Sequence, residues 1–203
     1  MLPIRPAFAR RFTRLLTRLF TGLLTATAFS VALFSSQFAF AILKFDPAKS
    51  SVSAVFKQLN VPVEAKFKRF SAKIDFDSSK LDAANATIDI EISSFDLGDP
   101  DYNKEVLKKD WFNSAQFPRA TFTSTAIKTG ANGQYNVSGK LSIKGKTADV
   151  TFPLSVKKQG NLQTFEGSLP IKRLAFNIGE GEWKDTATVA DEIIIKFRII
   201  AAQ

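Results

Sequence analysis

The sequence predicts an all-β fold, an eight-stranded antiparallel barrel carrying one short helix. Three observations point to it. From Lys44 onward apolar residues recur at every second position, the period of a strand with one wet face. Polar turn clusters interrupt these runs at short intervals. One stretch, between Asp99 and Phe112, lacks the alternation and favours helix.

The first segment stands apart from that pattern. Arg5, Arg10, Arg11, Arg14 and Arg18 precede any acid, the first of which is Asp46. An apolar stretch from Leu19 to about Phe34 follows, then Ala39-Phe40-Ala41. A basic start, an apolar middle and small residues at −3 and −1 describe a secretory signal over residues 1–41, cleaved after Ala41. The alternative is an uncleaved anchor. The apolar run of 16 residues, however, contains Thr21, Gly22, Thr25, Thr27 and Ser30, and a span needs roughly 20 apolar residues. Arg10-Arg11 resembles a twin-arginine signal, but Phe12 and Arg14 fit an ordinary basic region better. The expectation is one mature domain, residues 42–203, periplasmic or secreted, with no stable membrane span after cleavage.

The strands follow in order. Weaker ones cover about 50–58 and 61–68. Phe70, Ala72, Ile74 and Phe76 alternate with polar residues, as do Ala86, Ile88, Ile90 and Ile92. The expected helix is Asn103–Lys109, with Pro100 near its start. A weaker strand spans about 119–128. Tyr135, Val137, Gly139, Leu141 and Ile143 then share a face, and so do Ala148, Val150, Phe152, Leu154 and Val156. The last two are about 164–171 and the run Ile193, Ile195, Phe197, Ile199. Turns are marked by Asp77-Ser78-Ser79, residues 129–133, Lys144-Gly145-Lys146 and Gln159-Gly160-Asn161. Strands of eight to ten residues suit a deep barrel better than a compact sandwich, and closure removes exposed edges.

Composition excludes most chemistry. The chain has no Cys and no His, hence no disulfide, thiol nucleophile, cysteine zinc site, Ser-His-Asp triad or histidine-held metal. Its 28 bases and 19 acids give +9; without the five signal arginines, 23 bases against 19 acids leave +4. That excess is too slight to argue for a nucleic-acid partner.

Three motifs read as structure before chemistry. Asp99-Pro100-Asp101-Tyr102-Asn103 opens like a calcium loop, but Lys104 and Asp110 stand where Gly and Glu belong; the acids suit the start of a helix. Glu180 and Glu182 lie two apart in a Gly-flanked turn, a pattern of solvated charge rather than of acid–base partners. Lys144-Gly145-Lys146 is a hairpin tip, lacking the spacing of a phosphate cradle. Thirteen of the 20 Phe fall after residue 41. They are compatible equally with an aromatic packed core and with an apolar cavity for a lipid tail.

Local motifs, taken in order, break that tie. Val63-Glu64-Ala65-Lys66-Phe67-Lys68-Arg69-Phe70, Ile74-Asp75-Phe76-Asp77 and Ser93-Ser94-Phe95-Asp96 are followed by Asp110-Trp111-Phe112 and by Phe117-Pro118-Arg119-Ala120-Thr121-Phe122. Tyr135 to Gly145, Arg173-Leu174-Ala175-Phe176-Asn177-Ile178-Gly179 and a final Ile-rich strand complete the series. From about Lys44 to Ala201 the chain resembles the YceI-like family of exported lipocalin-like proteins. The resemblance implies an eight-stranded lipocalin-like barrel holding a long isoprenoid chain, with no catalysis and no cofactor beyond a bound polyisoprenoid or isoprenoid quinone. The family commonly has His-Leu-Gly where this chain has Gln58-Leu59-Asn60, and Arg-Asp-His before the helix, where this chain has no His. Polar headgroup contacts made by those histidines do not carry over.

The leading expectation is an exported lipid-binding protein whose partner is an isoprenoid lipid; a homodimer stays open. Its lining or mouth is assigned to Phe56, Phe70, Ile74, Phe76, Ile88, Ile90, Trp111, Phe112, Phe122, Leu141, Phe152 and Phe197. One rival is a ligand-free interaction module serving a membrane redox partner or a stress response. The other is an enzyme working with Glu180, Glu182 or Asp185 alone. A cavity of about 300 Å³ or more favours binding and a filled interior the module.

Overall fold

The computed structural model describes residues 43–203; the segment read as a signal, residues 1–41, lies outside them. Eleven strands form one antiparallel sheet. They are β1 (Lys44–Phe45), β2 (Ser51–Gln58), β3 (Val61–Phe67), β4 (Phe70–Asp75), β5 (Asn85–Glu91), β6 (Phe95–Asp96), β7 (Arg119–Thr129), β8 (Tyr135–Ile143), β9 (Lys146–Gln159), β10 (Leu162–Lys172) and β11 (Glu192–Ala202). The hydrogen-bonded order is β4-β5-β7-β8-β9-β10-β11-β2-β3-β6, with β1 on β11.

This is a curled half-barrel of eleven strands, not a closed ring of eight. The difference arises at one bend. Between β3 and β4 the chain turns at Lys68-Arg69, and between β5 and β6 it forms a 3₁₀ turn at Ile92–Ser94. The two connections lie side by side, tied by Lys68 N–H to Ser94 O (3.1 Å) and Glu91 N–H to Arg69 O (3.0 Å). Regular pairing stops there, so the ladder ends at β4 and β6. A single bridge, Leu43 to Ile74, links the β1 segment to β4.

Elsewhere the period-two pattern produces what it should. In β8, Val137, Gly139, Leu141 and Ile143 are buried while Lys140 is exposed. Lys144 (φ 47°) and Gly145 (φ 73°) form the two-residue turn into β9, and Leu59 (φ 48°) and Asn60 (φ 63°) the turn from β2 to β3. Positive φ at both central residues matches the right-handed twist of the flanking strands.

The helix, α1, spans Pro100–Val106, three residues earlier than expected at each end. Asp99 caps it, accepting from the Asp101 N–H (2.8 Å) and Tyr102 N–H (3.3 Å), and Pro100 occupies the first turn, where no N–H is missed. The chain then tightens, with Leu107 N–H donating to Lys104 O.

On the inner face large and absent side chains alternate across neighbouring strands. A Cβ on Gly139 in β8 would lie 2.5 Å from the Phe122 ring, and one on Gly167 in β10 would lie 2.6 Å from the Phe197 ring. The two glycines thereby let Phe122 (β7) and Phe197 (β11) lean onto Phe152 (β9), with ring centroids 5.4 and 5.5 Å away. These contacts fall within the range of favourable aromatic pairs.

Candidate functional site

Inside the curl lies a cavity of about 130 Å³. This is less than the roughly 300 Å³ of an ordinary small-molecule pocket. Its wall comes from β2, β3, β4, β5 and β7 to β11, and Thr121 is the one polar residue type in a lining otherwise made of Ala, Val, Leu, Ile and Phe. Of the residues assigned from sequence, Ile74, Phe76, Ile88 and Ile90 line it from β4, β5 and the turn after β4. Phe122, Leu141, Phe152 and Phe197 line it from the other side, and Phe112 at one end.

Phe56 and Trp111 line a second cavity instead, of about 80 Å³, between β2, α1 and the loop segment 178–189. Phe112 lines both cavities. Its place is fixed by its own N–H, which donates to Val106 O (3.0 Å), and by its ring, 5.4 Å from Phe95. Phe70 lines neither cavity; its ring packs on Phe45 at 5.6 Å. The sequence pattern had already placed Val137, Ile143, Leu154, Ile195 and Ile199 on inward faces, and all five line the larger cavity. Their signal was the same alternation, less conspicuous than that of the aromatics.

The two cavities follow the same strand faces. On β2, Val52 lines the larger and Ala54, Phe56 and Gln58 the smaller; on β11, Ile199, Phe197 and Ile195 line the larger and Ile193 the smaller. At about 3.3 Å per residue, the six-residue advance along either strand covers roughly 20 Å.

The smaller cavity carries the polar groups. Gln58, Tyr102 and Glu105 border it, and no Lys or Arg does. Glu105 is paired with Lys108 on the outer side. The Trp111 Nε1–H is the one buried side-chain nitrogen or oxygen, among the described residues, without a hydrogen-bond partner. Leaving such a group unsatisfied costs about 1–3 kcal/mol.

The loop that covers this end is organised by a residue the sequence pattern does not reveal. Arg173 is fully buried. Its guanidinium donates to Ala190 O (3.1 Å), Ile178 O (2.8 Å), Gly179 O (3.1 Å), Trp183 O (2.7 Å) and Val189 O (2.8 Å). Burial pulls its pKa below the usual value, and Asp191 opposes that shift. Nearby, buried Lys144 donates to Asn177 O (2.6 Å) and to Glu180 Oε2 (3.0 Å). The ammonium holds the Glu180 carboxyl below the ordinary range, so Glu180 is a structural ion pair rather than free loop charge. Asp185 is occupied by the Ala187 N–H and Thr188 hydroxyl. Asp99 caps α1, and no group of three or more Asp or Glu that could hold a metal occurs among the described residues. No helix there is long and apolar enough to cross a membrane.

Comparison with known proteins agrees with this architecture. The model of the YceI-like domain matches residues 43–201. BcnA of Burkholderia cenocepacia is similar in structure, with a TM-score of 0.77 and 54% identity over 78% of this chain and all of that one. A polyisoprenoid binding domain from Saccharophagus degradans, implicated in plant cell wall breakdown, shares the fold at a TM-score of 0.65 and 17% identity, covering 80% of this chain and 98% of that one. Among curated relatives, a UPF0312 protein of Yersinia enterocolitica is 34% identical over 55% of this chain and 61% of its own length. One from Shewanella denitrificans is 31% identical over 48% and 51%. The chain thus spans between half and two thirds of the length of these two.

Proposed function

Since the chain belongs to the YceI-like family, we propose that it is an exported binding protein that holds a long apolar ligand of the isoprenoid type, a polyprenyl or quinone tail, within its curled sheet. The observation that carries this is the wall of the larger cavity, apolar except for Thr121 and built from nine strands. A hydrocarbon tail placed there is stabilised by roughly 25 cal/mol per Å² of apolar surface removed from water, with no charge pairing required. Kinship with a polyisoprenoid binding domain supports the same class of ligand. The family also agrees with a non-enzymatic role.

The volume sets a condition on loading. A long isoprenoid tail needs more than about 130 Å³, so this reading requires lining side chains such as Phe122, Phe152 and Phe197 to move apart on loading. The same small volume is what favours the second reading, a ligand-free interaction module. Expression of the full chain with residues 1–41 present, followed by native mass spectrometry and lipid extraction, separates the two. A copurifying isoprenoid, or uptake of polyprenyl or quinone probes, is expected. A protein that is consistently empty and takes up neither belongs to the module reading. The periplasmic or secreted location is part of this proposal and rests on residues 1–41.

A further inference from the structure

Among the described residues three large apolar side chains are exposed: Leu59 (67%), Val61 (62%) and Tyr102 (58%). Single exposed apolar residues are ordinary on a protein surface, whereas a group of them marks a contact. These three form a group. Val61 is the cross-strand partner of Gln58, the residue before Leu59, and both Gln58 and Tyr102 border the smaller cavity. The exposed residues therefore sit on the rim of one end of the curled sheet.

Leu59 is held there against its own preference. Its φ of 48° lies in the left-handed region, which Gly, Asn or Asp adopts at such a turn more readily than a bulky side chain. The turn is braced by the loop that Arg173 organises. Leu59 N–H donates to Thr188 O and Ala190 N–H to Lys57 O, each at 2.9 Å, and Arg173 donates to Val189 O and Ala190 O. The tip is thus fixed before any contact, which lowers the ordering cost of binding.

We propose that this rim docks on a lipid surface, with Leu59 and Val61 inserted among the acyl chains and Tyr102 at the level of the headgroups. Two observations choose lipid over a partner strand or a charged partner. The backbone has little left to offer: the Leu59 N–H is taken and Pro62 has no N–H, so a further strand on β3 finds few donors. The charge is balanced: Gln58-Leu59-Asn60-Val61-Pro62-Val63 carries none, and Lys57 and Glu64 flank it. Neutral, apolar side chains on a rigid turn suit acyl chains, which ask for no directional bond. Tyrosine, with an apolar ring and a polar hydroxyl, is a side chain of membrane interfaces. The docking stands on this surface alone and does not depend on what the cavities hold.

The absence of Cys gives a site-specific test. The full chain is expressed and the exported, soluble protein purified. Leu59→Cys and Asn161→Cys are each labelled with a nitrobenzoxadiazole dye, whose emission brightens and moves to the blue in an apolar medium. Asn161 lies in the turn between β9 and β10, at the opposite end of the sheet. With phosphatidylcholine vesicles the dye at position 59 is expected to brighten and shift, and the dye at position 161 to stay unchanged. The unlabelled double variant Leu59→Asn with Val61→Thr is expected to bind the same vesicles roughly tenfold less tightly. It should unfold in urea at or above the wild-type midpoint, because Asn takes the left-handed conformation more readily and Thr suits a strand. Raising salt from about 0.05 to about 0.5 M should change wild-type binding by less than about threefold, as no net charge is screened. An unshifted dye at 59, equal shifts at 59 and 161, a double variant that binds as the wild type does, or binding confined to vesicles containing phosphatidylglycerol overturns the proposal. So does a shift at 59 that grows with protein concentration in the absence of vesicles, which would assign the rim to a second copy of this chain.

Discussion

The curled sheet and the loop that closes one end of it are held by opposite kinds of force. The interior of the sheet is apolar contact around a cavity, with rings seated over glycines. The segment 173–191 is a set of backbone carbonyls gathered around one guanidinium. Apolar contact is non-directional, so such a wall can repack at less cost than a directional network. Hydrogen bonds from a buried charge have fixed geometry and a high cost when broken. The contrast assigns adaptability to the larger cavity and rigidity to the end bordered by Trp111 and Trp183.

The largest effect should come from breaking the rigid side. Arg173→Met removes five hydrogen bonds and strands buried carbonyls. We expect a loss of about 3–5 kcal/mol in urea unfolding, the scale for losing a buried, partnered charge. Arg173→Lys should recover only part of it, because an ammonium cannot reproduce the planar fork. If Arg173→Met unfolds at the wild-type urea midpoint, the carbonyl cluster is held by something else and the contrast fails.

A smaller effect is expected on the adaptable side. The added methyl in Gly139→Ala would lie 2.5 Å from both the Phe122 ring and Thr123 O. The ring can turn away but the backbone oxygen must shift, at an overpacking cost of about 1–3 kcal/mol. Because Phe122 lines the larger cavity, the same variant should weaken uptake of polyprenyl probes while the Trp111 indole N–H resonance of the free protein, read by NMR, stays in place. A shifted indole resonance would show that the two ends are coupled rather than separately built.

Legibility in the sequence divides along the same line. Strands such as β8 and β9 were readable because inward and outward positions alternate over nine residues or more. β1 and β6, of two residues each, are too short to show a period, and with them the bend that ends the ladder was lost. The acids at 99–101 were readable as a helix start, but the cap places that start at Pro100. Nine of the twelve lining residues assigned from sequence reach the larger cavity, seven of them on strand faces, with Phe76 in the turn after β4 and Phe112 between α1 and β7. The smaller cavity was not legible as a separate space. It joins β2, α1 and a distant loop, and the residue that shapes that loop, Arg173, binds carbonyls, which every residue has. A charged side chain after a strand reads as solvent-facing until its partners are seen.

The smallest predicted effect concerns the bend itself. Arg69 donates to both carboxylate oxygens of Glu91, each at 2.8 Å, and that pairing, with Ser93 assisting, lowers the Glu91 carboxyl to about 2. Across the bend, the Lys68 ammonium, followed by Asn103 and the Gly98 N–H, lowers Asp96 to about 2. Both folded-state values lie below the ordinary ones, roughly 4.3 for Glu and 3.9 for Asp. As pH falls the unfolded chain therefore binds protons first. The stabilisation is complete above about pH 5 and disappears as pH falls toward 2. These groups are open to solvent, so the effect is small and weakens with salt. With no His in the chain, the side chain that ordinarily titrates between pH 5 and 8 is missing. Urea midpoints should accordingly be flat from pH 8 to 5, then fall. Arg69→Gln should lower the neutral plateau slightly and make the acid limb correspondingly shallower, the two curves converging toward pH 2. A midpoint that changes between pH 8 and 6, or an acid limb identical in Arg69→Gln, would show that the bend is held by its backbone bonds and not by these charges.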